Sequence, residues 1–179
     1  MSTTAVVLIL LLAAVTGISI VMFLQRQNSR KLRDRFGPEY DRLVRENNPR
    51  KAETILHERE KRIAKFQIRP LGRQHSEKFA AEWRSVQENF VDDPRGAASD
   101  ADRLIDQVLE ERGYPVGDFE QQADDLSVEH AQVVEHYRIA HDIVSRNRKD
   151  ATNTEQLRIA MQHYRALFED LLEMPMAKR

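Results

Sequence analysis

The chain has 179 residues, 41% of them hydrophobic and 32% charged, with a formal net charge of −1, which is enough sequence for one domain with its own core. It contains no Cys, which excludes thiol catalysis. The near-zero balance, with no zinc-finger, RRM or KH signature, argues against a nucleic-acid binder.

Residues 1–4 form a short tail without Lys or Arg. Residues 5–24, AVVLILLLAAVTGISIVMFL, hold no charge, and Thr16 and Ser19 are their most polar members. About 20 residues rising ~1.5 Å each cover roughly 30 Å, the thickness of a bilayer's hydrocarbon core. The stretch is predicted to be one transmembrane helix. A cleavable signal would carry a basic n-region and a shorter apolar core, so a retained signal-anchor is the reading of these residues.

Residues 25–37 form a basic juxtamembrane segment. Arg26, Arg30, Lys31, Arg33 and Arg35 stand there against a single Asp34, and they are the expected contacts to an anionic membrane surface. Lys and Arg flanking a span stay on the cytoplasmic side. The N-terminus is therefore expected outside and the C-terminal domain in the cytosol. The basic bias extends further: residues 25–73 contain 15 Lys and Arg against 7 Asp and Glu, a net +8, whereas residues 74–179 carry 13 against 22, a net −9.

Residues 38–175 are predicted to be an all-α domain of five or six helices in a bundle-like array. Gly37-Pro38 ends the helix leaving the membrane. A short helix over 38–46 follows, with Tyr40, Leu43 and Val44 on one side. Asn48-Pro49 starts a helix over 49–67, with Ala52, Ile55, Leu56, Ile63 and Phe66 at helical spacing. The next helix, over 76–91, is capped by Ser76 and presents Phe79, Trp83, Val86 and Phe90.

Asp93-Pro94 begins a helix whose stripe is Ala101, Leu104, Ile105, Val108 and Leu109, ended by Gly113 and Pro115. Residues 116–126 read as a loop or a short turn of helix. Ser127 is predicted to cap a long helix reaching Arg146, with Val133, Val134, Tyr137, Ala140, His141 and Val144 inward. Thr152-Asn153-Thr154 caps the last helix, where Leu157, Ala160, Met161, Tyr164, Leu167, Phe168 and Leu171 face the core, and Met174-Pro175 closes it. No stretch alternates with period two, so no sheet is expected.

The six His do not fall into a metal-ligand pattern. None follows a Glu by three residues and no two are four apart, so no metal or other cofactor is predicted. His141 reads as a histidine at the core edge with a hydrogen-bond partner. Asp92-Asp93 and Asp124-Asp125 border helix starts, where capping accounts for them. Nucleotide-binding glycine loops and G-x-S-x-G are absent from the sequence. Trp83, Asp92, Asp93, Arg112, Tyr114 and His141, with Phe90, Phe119, Gly113 and Pro115 near them, lie close to predicted helix ends and form a candidate pocket.

LRDRFGPEYDRLV (residues 32–44), Trp83 with FVDDP (90–94), ADRLIDQVLEERGYP (101–115), DLSVEH (125–130) and YRIAH (137–141) together resemble a group of small bacterial proteins with one N-terminal hydrophobic segment and an α-helical tail. The resemblance implies a bacterial, membrane-associated product, and the group carries no established activity, so it supplies no catalytic residues. The expected function is a single-pass anchored interaction or scaffold protein that holds a protein partner near the inner face of the cytoplasmic membrane. The alternatives are a membrane-tethered enzyme pairing His141 with Asp92 or Asp93, an envelope-stress sensor, and, for location, a secreted or periplasmic protein.

Overall fold

The computed structural model describes residues 3–115, 117–147 and 153–172; the side chains of residues 3–11, 13, 14 and 21 lie outside that description. The described residues form eight α-helices and no strand: α1 (Thr3–Phe36), α2 (Pro38–Glu46), α3 (Pro49–Ile63), α4 (Arg73–Asn89), α5 (Pro94–Glu111), α6 (Phe119–Leu126), α7 (Val134–Asn147) and α8 (Thr154–Leu171). The all-α expectation holds, with seven helices after α1 in place of five or six.

The core is built around α8, which packs against both α7 and α5, while α4 lies against α5. Every inward residue expected on α8 is buried, as are Ala101, Leu104, Ile105, Val108 and Leu109 on α5. Ala97 and Ala98 are also buried, and small side chains at a helix contact let the axes approach closely. Trp83 of α4 stacks on Phe168 of α8 with ring centroids 4.8 Å apart. Each such large apolar side chain removed from water contributes roughly 1.5–3 kcal/mol.

A second group, α1, α2, α3 and α6, joins this core through α7, which α2 and α6 both contact. The C-terminal end of α1 packs into it through Leu32 and Phe36, both buried. Gly37 then takes φ +45°, a left-handed turn that ends α1 and lets Pro38 start α2. Asn48 caps α3 by accepting from the Lys51 N–H, and Asp93 caps α5 by accepting from the Gly96 N–H. Asn153 likewise caps α8, accepting from the Glu155 N–H.

Four boundaries differ from the sequence expectation. Helix α3 stops at Ile63, so Phe66 falls in the following turn and is 38% exposed. Helix α4 starts at Arg73 behind Gly72, so Ser76 lies within it and is not its cap. Residues 119–126 form the two-turn helix α6, because Asp118 accepts from the Gln121 N–H and Ala123 and Leu126 bury their side chains. Ser127 is correspondingly the buried C-cap of α6; α7 starts seven residues later, leaving His130 in the turn ahead of it. Arg148, Lys149, Thr152, Met174 and Pro175 lie outside the described residues.

Helix α1 is continuous through Phe36, so the basic segment 25–37 is an extension of the apolar helix and not a separate linker. Among the described residues, no helix is long and apolar enough to cross a membrane. Half of the expected span 5–24, namely residues 5–11, 13, 14 and 21, has side chains outside the description. The side chains that are described there are exposed: Leu12, Val15, Ile18, Ile20, Met22, Phe23 and Leu24 lie between 49% and 67%.

Candidate functional site

Helix α3 runs beside α1 in the same direction. Ser29 donates to Glu53 Oε1 at 2.5 Å, the Asn28 amide lies 3.4 Å from His57 Nε2, and Arg35 donates to Glu60 at 2.6 Å. This pairing places the start of α3, Pro49 and Arg50, beside Arg26, where the apolar stretch ends. A cavity of about 330 Å³ opens there between Met22, Gln25, Arg26 and Ser29 of α1 and Pro49, Arg50 and Glu53 of α3.

The five basic residues of the segment 25–37 divide into two classes. Arg33 pairs with Asp41 at 3.2 Å, and Arg35 pairs with Glu60 and also lies over the Phe36 ring. Their charge is partly neutralised within the domain. Arg26, Arg30 and Lys31 are exposed and make no ion pair among the described residues, and neither does Arg50. Arg50 was not legible as part of this surface, because nothing local in the sequence tells that α3 returns alongside α1.

Behind this surface lies a buried ionic cluster. Glu39, 2% exposed, accepts from Arg42 at 2.6 Å and Arg59 at 2.6 Å, with Arg138 at 3.5 Å. Arg59 and Arg138 also reach Asp124 Oδ1, at 2.6 Å and 2.8 Å. Burial alone would push the Glu39 carboxyl up; hydrogen bonds from Arg42 and Arg59, with the charge of Arg138, override this and hold it down at about 2. The Arg62 Nε–H is shared between the two oxygens of the buried Asp125, at 2.9 and 3.0 Å. The cluster joins α2, α3, α6 and α7.

A second polar cluster lies between α5, α7 and α8. Asp102 accepts from Tyr164 at 2.6 Å and faces His141 Nδ1 at 3.2 Å, while Tyr137 donates to Gln122 at 3.1 Å and to Asp106 at 3.3 Å. Phe119 stacks on the His141 ring at 3.7 Å. Burial and then the neighbouring Asp102 charge raise the Asp106 carboxyl above its ordinary value. Burial and the adjacent carboxylates also raise both tyrosine hydroxyls, which stay protonated donors.

The six candidate pocket residues have separate settings. Trp83 is in the core against Phe168. Asp92 and Asp93 are exposed between α4 and α5, where Asp93 is a cap. Arg112 is buried and donates to the Leu171 carbonyl at 2.7 Å, serving the end of α8. Tyr114, near it, donates to Glu129 at 3.0 Å. His141 has the hydrogen-bond partner its position called for, and that partner is Asp102. Among the described residues no group of three or more His, Asp or Glu is placed to hold a metal ion.

No protein-family model, no curated protein and no solved structure matches this chain.

Proposed function

We propose that this chain is a single-pass membrane-anchored helical protein whose domain, on the cytosolic side, holds a protein partner near the inner membrane surface. The observation that carries the reading is the state of α1 before Gln25: seven large apolar side chains, on successive turns and all sides, stand exposed, with Met22 among them lining the cavity against α3. An amphipathic surface helix would offer a polar face, and this stretch has none. Lipid is the cover its length and uncharged character fit. The bacterial membrane-associated group that the sequence resembles is in keeping with that cover.

Support for the orientation comes from Arg26, Arg30, Lys31 and Arg50, cations without an ion pair among the described residues, at the domain-side end of the apolar stretch. The partner-holding part draws on the far side of the domain, where Phe90, Met161, Gln87, Gln162, Arg158 and Arg165 line a groove and Val91 stands 84% exposed beside it. Alkaline carbonate extraction of intact membranes tests the anchor: the chain stays in the pellet, and its release into the supernatant ends the reading. A reporter fused after Arg179 that is active only outside the cytoplasm reverses the orientation. Capture of one reproducible partner from gently solubilised membranes, lost in V91E, supports the groove.

A membrane-tethered enzyme is the second reading, and the distance of 3.2 Å between His141 and Asp102 is what favours it. The acid–base pair in that reading is His141 with Asp102 in place of Asp92 or Asp93.

A further inference from the structure

We propose that the cavity between α1 and the start of α3 is a binding site for the phosphodiester headgroup of an anionic phospholipid. This rests on the membrane-anchored reading and goes beyond it by replacing a diffuse basic collar with one defined site. Depth is the first consideration. From Met22 to Ser29 the helix rises roughly 10 Å at ~1.5 Å per residue. The polar headgroup layer on each side of a bilayer is roughly 5–8 Å thick. The cavity therefore begins beside the exposed apolar side chains Met22, Phe23 and Leu24 and ends about one headgroup layer further on.

Charge and donor geometry point the same way. Arg26 of α1 and Arg50 of α3 both line the cavity, and neither has an ion-pair partner among the described residues. Their guanidinium forks match phosphate oxygens bidentately, and the Gln25 amide adds a neutral donor at the same rim. Glu53 is the one carboxylate in the lining. Its Oε1 already accepts from Ser29 at 2.5 Å and Tyr40 at 3.5 Å, which ties it to α1 and α2 and leaves the lining with one net positive charge. With Met22 at the lower lip, the site offers cations to the phosphate and an apolar edge to the glycerol and first acyl carbons.

The test uses the full chain in nanodiscs of phosphatidylcholine containing a minor fraction of phosphatidylglycerol. Native mass spectrometry after gentle release counts the lipids that stay bound. Wild type is expected to retain phosphatidylglycerol in preference to phosphatidylcholine. R26Q and R50Q are each expected to lower that preference about fivefold, and the double variant roughly 25-fold. K61Q/K65Q, which removes the same charge at and just past the C-terminal end of α3, is expected to leave it unchanged.

Equal losses in R26Q/R50Q and K61Q/K65Q would mean diffuse attraction and would overturn the site, as would an inserted wild-type chain with no preference. Uptake of inorganic phosphate in place of the lipid, with the same sensitivity to R26Q/R50Q, would overturn the assignment to a lipid. A chain that fails to enter nanodiscs at all removes the anchored reading and this site together, a result separate from insertion without preference.

Discussion

Arg59 and Glu39, on different helices, meet in a buried ion pair with Nη1 and Oε1 2.6 Å apart. The second arm of the same guanidinium reaches Asp124 at 2.6 Å, so one side chain joins α3 to α2 and to α6. Arg42 and Arg138 close on the same carboxylates from α2 and α7.

Removing the Glu39 charge leaves the buried Arg59 with Asp124 as its remaining carboxylate, while Arg42 keeps Glu46 and Arg138 keeps Asp124 and Glu120. E39Q is expected to lose about 3 kcal/mol of unfolding free energy at pH 7, read from urea denaturation. The effect depends on pH in a fixed direction. The folded carboxyl titrates at about 2, below its ordinary value of 4.5. Its contribution is therefore complete above pH 4.5 and is lost as pH falls from there to 2. Wild type and E39Q should converge over that window, and parallel curves would show that Glu39 titrates normally.

Asp106 carries the opposite sign. Burial and the nearby Asp102 raise its carboxyl, so the folded state favours its protonated form and its ionisation weakens the fold as pH rises above 3.8. D106N keeps an oxygen for the Tyr137 hydroxyl and removes the charge. At pH 7 it is expected to gain on the order of 0.5–1 kcal/mol, and to lose that advantage in acid, by thermal unfolding followed with circular dichroism.

Gly113 ends α5 at φ +89°, and a Cβ there would lie 2.6 Å from the Gln67 carbonyl oxygen. Both the backbone conformation and the contact exclude a side chain. G113A is expected to lose about 2–3 kcal/mol, whereas G72A, which meets nothing within 4 Å, should stay near wild type in the same melting experiment.

Trp83 is the chain's one tryptophan, and its stacking on Phe168 makes its fluorescence a direct report on the core. F168A opens a cavity beside the indole and is expected to lose about 3–5 kcal/mol, with a red-shifted emission in the folded baseline. An unshifted baseline would place the indole elsewhere.

The parts of the fold that were readable have local causes. Helices α5 and α8 announce themselves by a capping residue and an apolar stripe at 3.6-residue spacing; every expected inward residue is buried, and α5 buries Ala97, Ala98 and Asp102 besides. For α6 the short, acidic stretch leaves a loop and a short turn of helix both open in the sequence, although Asp118 and Gln121 carry the spacing of an N-terminal cap. Glu39 is an acidic residue in the first turn of α2, and nothing in its local sequence marks it as buried. Its burial comes from Arg59 and from Arg138, 99 positions along the chain, and no window of sequence brings those together. For the same reason the sequence shows Arg26 as one of a basic run but does not show that it shares a cavity with Arg50.

Because α1 does not break between Met22 and Leu32, the domain has no swivel there. Its azimuth about the helix axis is set by Leu32 and Phe36, which lock one flank of the rod into the core. One extra residue inserted at Gln27 would turn everything before it by about 100° and carry Arg26 away from Arg50. The rod thus behaves as a keyed shaft: a tilt or twist imposed on its free end reaches the body of the protein as a change of facing and not as slack.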